Sequence, residues 1–286
     1  MIVESSIRKT REMIGRWRRQ GDRVGLVPTM GFYHAGHCAL MDKARELADR
    51  VVVSLFVNPT QFGPSEDFTV YPRDLDGDCD KARARGVDLL FCPEVDAIYG
   101  PEDQTIVEVG PLSQGLCGAG RPGHFRGVTT VVTKLFNILD PDYAVFGEKD
   151  FQQLAVVKRL VADLHLPVQI VGHPTVREED GLAMSSRNVY LSEDERRAAL
   201  VLYRALLTVQ QEAQRAGFEI PAAELREIGR KMIAAEPLCS VEYFTIIEEV
   251  SLQERDRVDS GCRVIGAMQV GSRVRLIDNL ALMTLS

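Results

Sequence analysis

Short apolar runs alternate with helical patterns through the first half of the chain. Arg23–Met30 (RVGLVPTM) predicts a strand ending at a turn. Cys38–Asp49 has helical spacing, with Leu40, Met41, Ala44, Leu47 and Ala48 on one side. Val51–Val57 (VVVSLFV) is continuously apolar, as in a strand covered on both faces. The pattern continues with a helix over Asp74–Arg85 and strands over Val87–Phe91 and Thr105–Val109. A helix over Val128–Leu139, a strand over Tyr143–Phe146, a helix over Phe151–Leu164 and a strand over Val168–Val171 follow. Strands alternating with helices predict an α/β fold, a parallel sheet wrapped on both faces. The pattern changes after about Thr175. Ser192–Ala216 predicts a long helix opened by a capping box at Ser192 and Glu195. Ile220–Ala235 predicts another, with Pro221 suited to its first turn. Strand-like runs at Val241–Ile247, Arg263–Gln269 and Arg273–Leu276 complete a smaller α+β domain. The boundary falls within His173–Ser186, giving domains 1–175 and 176–286.

Composition narrows the class. The 286 residues are 45% hydrophobic and 26% charged, which describes an ordinary globular protein. The N-terminus is charged and has no apolar run, so no secretory signal is expected, and no run approaches the roughly 20 residues of a membrane span. The formal net charge of −7 argues against global steering to nucleic acid. A polyphosphate would have to be held locally, by Lys, Arg and helix N-termini. The six cysteines form no C-x-x-C pair, so free thiols in a reducing cytoplasm are expected rather than a zinc site or a disulfide scaffold.

Four segments carry chemistry. Pro28-Thr29-Met30-Gly31-Phe32-Tyr33-His34-Ala35-Gly36-His37 lies where the first strand hands over to a helix, and ligands of open α/β sheets bind outside the carboxyl ends of strands. Gly31 and Gly36 allow close backbone approach. The helix beginning near Gly36 offers an anion site, and both imidazoles can face one ligand. A cap histidine or half of a zinc site would use the same residues. H-x-G-H lacks the glutamate of H-E-x-x-H, however, and the position favours a nucleotide. Asn58-Pro59-Thr60-Gln61-Phe62-Gly63 follows the next strand; Gln61 suits a small hydroxy acid, and a plain turn fits equally well. Gly147-Glu148-Lys149-Asp150 again links strand to helix. Lys149 could neutralise phosphate and Gln153 would face the rim, although alone the segment reads better as a charged helix start. Met184-Ser185-Ser186-Arg187 groups two hydroxyls with a guanidinium, a phosphate clamp or, taken alone, a linker with a capping serine. Gly118-Ala119-Gly120-Arg121-Pro122-Gly123 fits the dinucleotide fingerprint, but no strand leads directly into it.

Taken together, PTMGFYHAGH, FVNPTQFGP, YPRDLDGD, RPGHFRGVTTVVTKLFN, FGEKDFQQL, PTVREEDGLAMSSRN and RLIDN make the chain resemble the pantothenate synthetase (pantoate–β-alanine ligase) family over nearly its whole length. The resemblance implies a Rossmann-like, doubly wound sheet of the nucleotidyltransferase type, with residues 1–175 binding ATP and pantoate and residues 176–286 forming an α+β lid. It implies condensation of (R)-pantoate with β-alanine, with ATP cleaved to AMP and diphosphate and a pantoyl-adenylate as intermediate. It further implies Mg²⁺, a cytoplasmic homodimer and a role in coenzyme A precursor synthesis. His37 matches the catalytic residue, with His34 beside it. Met30, Gly31, His34, Gly36, His37, Gly147, Glu148, Lys149, Asp150, Val176, Met184, Ser185, Ser186 and Arg187 match ATP contacts. Gln61 and Gln153 match glutamines that hold pantoate, Gln61 also being associated with β-alanine. Asp78 aligns with an acid near the metal, while Gly77 stands where some members have a second acid, so no metal ligand is assigned. No cysteine is needed as nucleophile.

Overall fold

The computed structural model describes residues 1–64 and 66–283. They divide into two compact units: Met1–Glu148 with Gln152–Pro174, and Lys149–Phe151 with the chain from Thr175 onward.

The first unit contains β1 (Ile2–Glu4), α1 (Ile7–Arg19), β2 (Val24–Thr29), α2 (Ala35–Leu47), β3 (Arg50–Leu55), α3 (Leu75–Ala84), β4 (Leu89–Phe91) and α4 (Val95–Ile98). It continues with α5 (Cys117–Gly120), α6 (His124–Leu139), β5 (Tyr143–Gly147), most of α7 (Phe151–Asp163) and β6 (Gln169–His173). The six strands are parallel, in the order β1-β4-β3-β2-β5-β6. The chain first builds outward from β2 through β3 to β4 and then returns to β2's other side with β5. The β2/β5 junction is therefore the switch point, where ligands bind in doubly wound sheets. Burial on both faces explains the apolar runs: Val27, Val51 and Val53 join the Met41 and Ala44 cluster of α2, while Leu26 and Val52 are equally buried on the alternate positions. The second unit packs α8 (Glu193–Arg215) and α9 (Ala222–Ala234) on an antiparallel sheet of β7 (Cys239–Glu248), β8 (Cys262–Val270) and β9 (Val274–Ala281). Leu202, Leu206, Leu225, Phe244, Ile246 and Val264 lie in its core.

Some expectations change. Thr105–Val109 is not a strand. The Val107 N–H donates to Thr130 Oγ1 at 3.0 Å and its carbonyl accepts from Thr129 Oγ1 at 2.5 Å, so hydroxyls of α6 take the place of a neighbouring strand. Helix α6 begins at His124, before the predicted Val128. The N-terminal β1 and α1 carried no prediction. In α1 the dense Arg and Lys positions obscure a stripe of only three buried residues, Thr10, Met13 and Ile14. The capping box at Ser192 and Glu195 is present as read, whereas Pro221 sits one position before α9 rather than inside it.

Candidate active site

In the first unit the turn after β2 is held from below. Gly31 (φ 86°) and Phe32 (φ 55°) both adopt left-handed backbone, a conformation that glycine tolerates and phenylalanine must be compelled to hold. The constraint is Asp78, fully buried on α3, whose two carboxylate oxygens accept the N–H groups of Phe32 and Tyr33 at 2.6 Å each. Burial pushes the Asp78 carboxyl above its ordinary pKa despite these two hydrogen bonds. Both oxygens accept backbone N–H groups, so Asp78 holds the turn in place. Among the described residues no three His, Cys, Asp or Glu side chains form a metal-binding group. The absence of a side chain at Gly77 has its own local reason: a Cβ there would lie 2.1 Å from Oδ2 of Asp74, the residue capping α3.

The turn delivers His34 to the N-cap of α2. Its Nδ1 accepts the Gly36 N–H at 3.1 Å, and Nδ1 of His37 accepts the His34 N–H at 3.3 Å, a reciprocal capping box built from two imidazoles. The rings stand 4.1 Å apart. Capping thus draws on Nδ1 of each ring. With Nδ1 an acceptor in both rings, the neutral tautomer carries its proton on Nε2, and each ring is a hydrogen-bond donor at that end.

The loop after β3 is organised by Asn58, which is almost completely buried. Its Oδ1 accepts from the Thr60 N–H and hydroxyl at 3.3 and 2.9 Å, and its Nδ2 donates to Gln61 Oε1 and to the Gly127 carbonyl, both at 3.1 Å. Gln61 Nε2 reaches Met30 Sδ at 3.2 Å, so the predicted nucleotide and hydroxy-acid residues meet here. Helix α6 approaches so closely that a Cβ at Gly127 would stand 2.5 Å from the Thr60 carbonyl oxygen. His124 Nδ1 lies 2.8 Å from the Gln61 carbonyl oxygen, and Arg121 pairs with both Glu66 oxygens at 2.7 Å. Burial pushes the Glu66 carboxyl up, but Arg121 outweighs it and the net shift is downward. Asn58, Glu66, Arg121, His124 and Gly127 were not singled out from the sequence, although each lies in or beside a matching stretch. A buried Asn at the head of N-P-T-Q is the one legible signal among them, because Asn is a turn-capping residue.

Gly147 ends β5, beside β2 at the switch point, and Glu148 opens the 3-10 turn Glu148–Asp150 with its Oε1 lying over Gly172. In α7, Gln152 is spent on the backbone of Cys117, Leu112 and Gly115, whereas Gln153 is only half-buried. The fingerprint-like glycines have structural uses. A Cβ at Gly118 would overlap the Ser113 carbonyl at 1.8 Å, and Gly123 takes φ 83° at the N-cap of α6.

The second unit gathers the remaining predicted residues. Arg177 and Ala183 pair across a turn closed by Gly181 (φ 95°), and the Met184 N–H donates to the Val176 carbonyl at 3.0 Å. Ser185 caps the short 3-10 helix Ser186–Tyr190 by accepting the Arg187 N–H at 3.3 Å. Val176 and Met184 through Arg187 therefore form one structural piece. Lys149 lines a small concavity with Leu182, Ala183, Tyr203 and Asp278. Lys149 Nζ lies 3.8 Å from Asp150. Six thiols are present without a disulfide; burial pushes Cys92 up to about 12 and Cys239 up to about 11, far from nucleophile range.

A doubly wound sheet whose switch-point helix is capped by an H-x-G-H pair defines an α/β protein of the Rossmann-like nucleotidyltransferase class. The sequence model of the pantoate-β-alanine ligase family matches residues 2–281, and the chain belongs to that family. It is 52% identical over 280 residues to the pantothenate synthetase of Heliobacterium modesticaldum, covering 98% of this chain and 99% of the relative. The corresponding protein of Desulfotalea psychrophila is 49% identical, with 98% and 99% covered. The crystal structure of pantothenate synthetase from Thermus thermophilus superposes with a TM-score of 0.94 at 46% identity, covering 99% of this chain and 100% of that one. The Francisella tularensis pantoate-β-alanine ligase, crystallised with a β,γ-ATP ligand and β-alanine, superposes with a TM-score of 0.80 at 33% identity, covering 99% and 98%.

Proposed function

We propose that this chain carries out its family's reaction, joining (R)-pantoate to β-alanine with ATP cleaved to AMP and diphosphate. The observation that carries the assignment of roles is the histidine capping box at the switch point, which commits both Nδ1 atoms and leaves the proton on each Nε2. A pantoate carboxylate oxygen attacks the α-phosphorus, and the bond to the bridging oxygen of diphosphate breaks. Anion meets anion in that step. His37, with His34 beside it, donates to the phosphoryl oxygens as charge builds, the kind of preorganised donor that catalyses such transfers. Met30, Gly31 and Gly36 line the nucleotide; Gly147, Glu148, Lys149, Asp150, Val176, Met184, Ser185, Ser186 and Arg187 supply its other contacts. Lys149 and Arg187 offset the triphosphate charge.

Gln61 and Gln153 hold pantoate, whose hydroxyls and carboxylate suit an amide able to donate and accept. The link from Gln61 to Met30 supports this, since it ties the hydroxy-acid residue to the nucleotide turn. The β-alanine amine then attacks the acyl carbon of the pantoyl-adenylate, the carbon–oxygen bond to AMP breaks, and the amine releases a proton. In this reading magnesium accompanies ATP as part of the substrate. We further propose a cytoplasmic homodimer with residues 176–286 acting as a lid. Sedimentation velocity tests the dimer. ATP and pantoate, incubated with and without β-alanine, test the reaction. Pantothenate and AMP should form only with β-alanine present, and pantoate should support exchange of labelled diphosphate into ATP without it. A nucleotidyl product released into solution, with no dependence on β-alanine, would instead make the chain a simple nucleotidyltransferase.

A further inference from the structure

The R-L-I-D-N stretch of β9 matches its family yet carries no role in the reaction described above. In the structure its last two residues are buried polar side chains in the sheet of the second unit, Asp278 and Asn279, 3% and 2% exposed. Neither is idle. Asp278 holds Arg177 through two hydrogen bonds of 2.6 and 2.9 Å, and the Arg177 guanidinium lies 4.1 Å over the Tyr203 ring while donating to the Gly181 carbonyl. That fixes the base of the turn bearing Val176 and Met184 through Arg187. Asn279 reaches the other nucleotide segment: its Nδ2 donates to the Lys149 carbonyl at 3.0 Å, across 130 residues of sequence.

The orientation of the Asn279 amide is dictated from behind. Arg263 Nη1 donates to Oδ1 at 2.5 Å, and since a guanidinium can only donate, the amide oxygen must face it and the NH₂ must face Lys149. Arg263 is fixed in turn by Glu249 at 2.8 Å and stacks 4.0 Å over the Phe151 ring, two residues past Lys149. These contacts belong to the residues that group Lys149–Phe151 with the second unit while the flanking chain packs with the first.

We propose that Asn279, oriented by Arg263 and Glu249, is a positioning residue for Lys149, and that with Asp278 it makes β9 the common support of both nucleotide segments in the second unit. The inference rests on the reading above that Lys149 contacts the triphosphate. Asn279→Asp is the discriminating variant. It keeps the size of the side chain and an acceptor for Arg263, but sets a carboxylate oxygen against the Lys149 carbonyl where a donor stood. Lys149→Ala is its benchmark, and the two are combined in a double-mutant cycle read by steady-state kinetics.

The expected result for Asn279→Asp is a loss of about 10- to 100-fold in kcat/KM for ATP, as for a reacting group set out of place. The KM for pantoate should stay within about twofold, and the double variant should be no worse than Lys149→Ala alone, since residues acting as one unit are not additive. If Asn279→Asp melts below the assay temperature, Asn279→Ala takes its place in the cycle. Near-normal ATP kinetics in the Asn279 variant beside a crippled Lys149→Ala overturns the positioning role and leaves the function intact. Losses that multiply in the double variant also overturn it, because Asn279 would then act other than through Lys149. A fully active Lys149→Ala instead removes the nucleotide role on which the inference stands.

Discussion

At the scale of single residues, the candidate site depends heavily on polar side chains that serve the backbone. His37 was legible because H-x-G-H after a strand is an uncommon arrangement with a physical reading. His37→Ala should lower the pantoate-dependent exchange of diphosphate into ATP by roughly 10²–10³-fold, the usual cost of one transition-state donor. Circular dichroism should show the fold retained; a folded variant with near-normal exchange refutes the role. Asp78 was legible only as an acid aligned near a metal. Its actual partners are two backbone N–H groups 46 and 45 residues away, and backbone groups leave no trace in a sequence. Asp78→Asn keeps one acceptor oxygen and turns an NH₂ toward an N–H, so a buried donor goes unpaired at a cost of about 1–3 kcal/mol. With Phe32 no longer held in its left-handed conformation, exchange should fall by about 10²-fold, as a displacement near 1 Å can do. Unchanged exchange in a protein that melts earlier would confine Asp78 to stability.

Among the elements, α6 braces the Gln61 loop, and its first turn is the part the sequence concealed. The apolar period begins at Val128, but His124 and Gly127, which touch the Gln61 loop, precede it. R-P-G-H-F reads as a turn, and nothing local says that a helix starts inside it. A methyl group at Gly127 would press on backbone atoms of Thr60 and Gln61, which cannot rotate away. Gly127→Ala should therefore cost about 1–3 kcal/mol by overpacking and raise the KM for pantoate by about tenfold through displacement of Gln61. Thermal melting and separate titrations with ATP and pantoate check both effects; unchanged pantoate KM would show that the loop can yield.

The same loop should carry a pH dependence. Because Arg121 holds the folded Glu66 pKa below its unfolded value, the pair's contribution is present above the unfolded pKa and is lost as pH falls through the folded one. The KM for pantoate should rise on acidification through that window. In Glu66→Gln it should already be raised at neutral pH and stay flat over the same range. An identical acid limb in both proteins assigns the effect to another carboxylate.

For the whole molecule, alternation of strand and helix disclosed the α/β class and the change to α+β, since both are written in local periodicity. Strand order was not legible, because the return of β5 to the far side of β2 is a pairing between distant segments. The assignment of Lys149–Phe151 to the second unit was hidden for the same reason: it depends on Asn279 and Arg263, far along the chain. Two units with two cores imply that stability is not uniform. Leu206 is fully buried in the second core, among Leu202, Leu225 and Val264. Leu206→Ala leaves a cavity there and should cost about 2–5 kcal/mol. Hydrogen exchange followed by mass spectrometry should then show lost protection across α8, α9 and β7 to β9, while β2, β3 and β5 keep their wild-type protection. Since Lys149 and Arg187 both belong to the second unit, activity should fade over the temperature range in which its amides open, before the six-stranded sheet exchanges. Equal loss of protection in both sheets would mean that the two cores unfold as one cooperative unit, and that a defect in either reaches the histidine-capped helix directly.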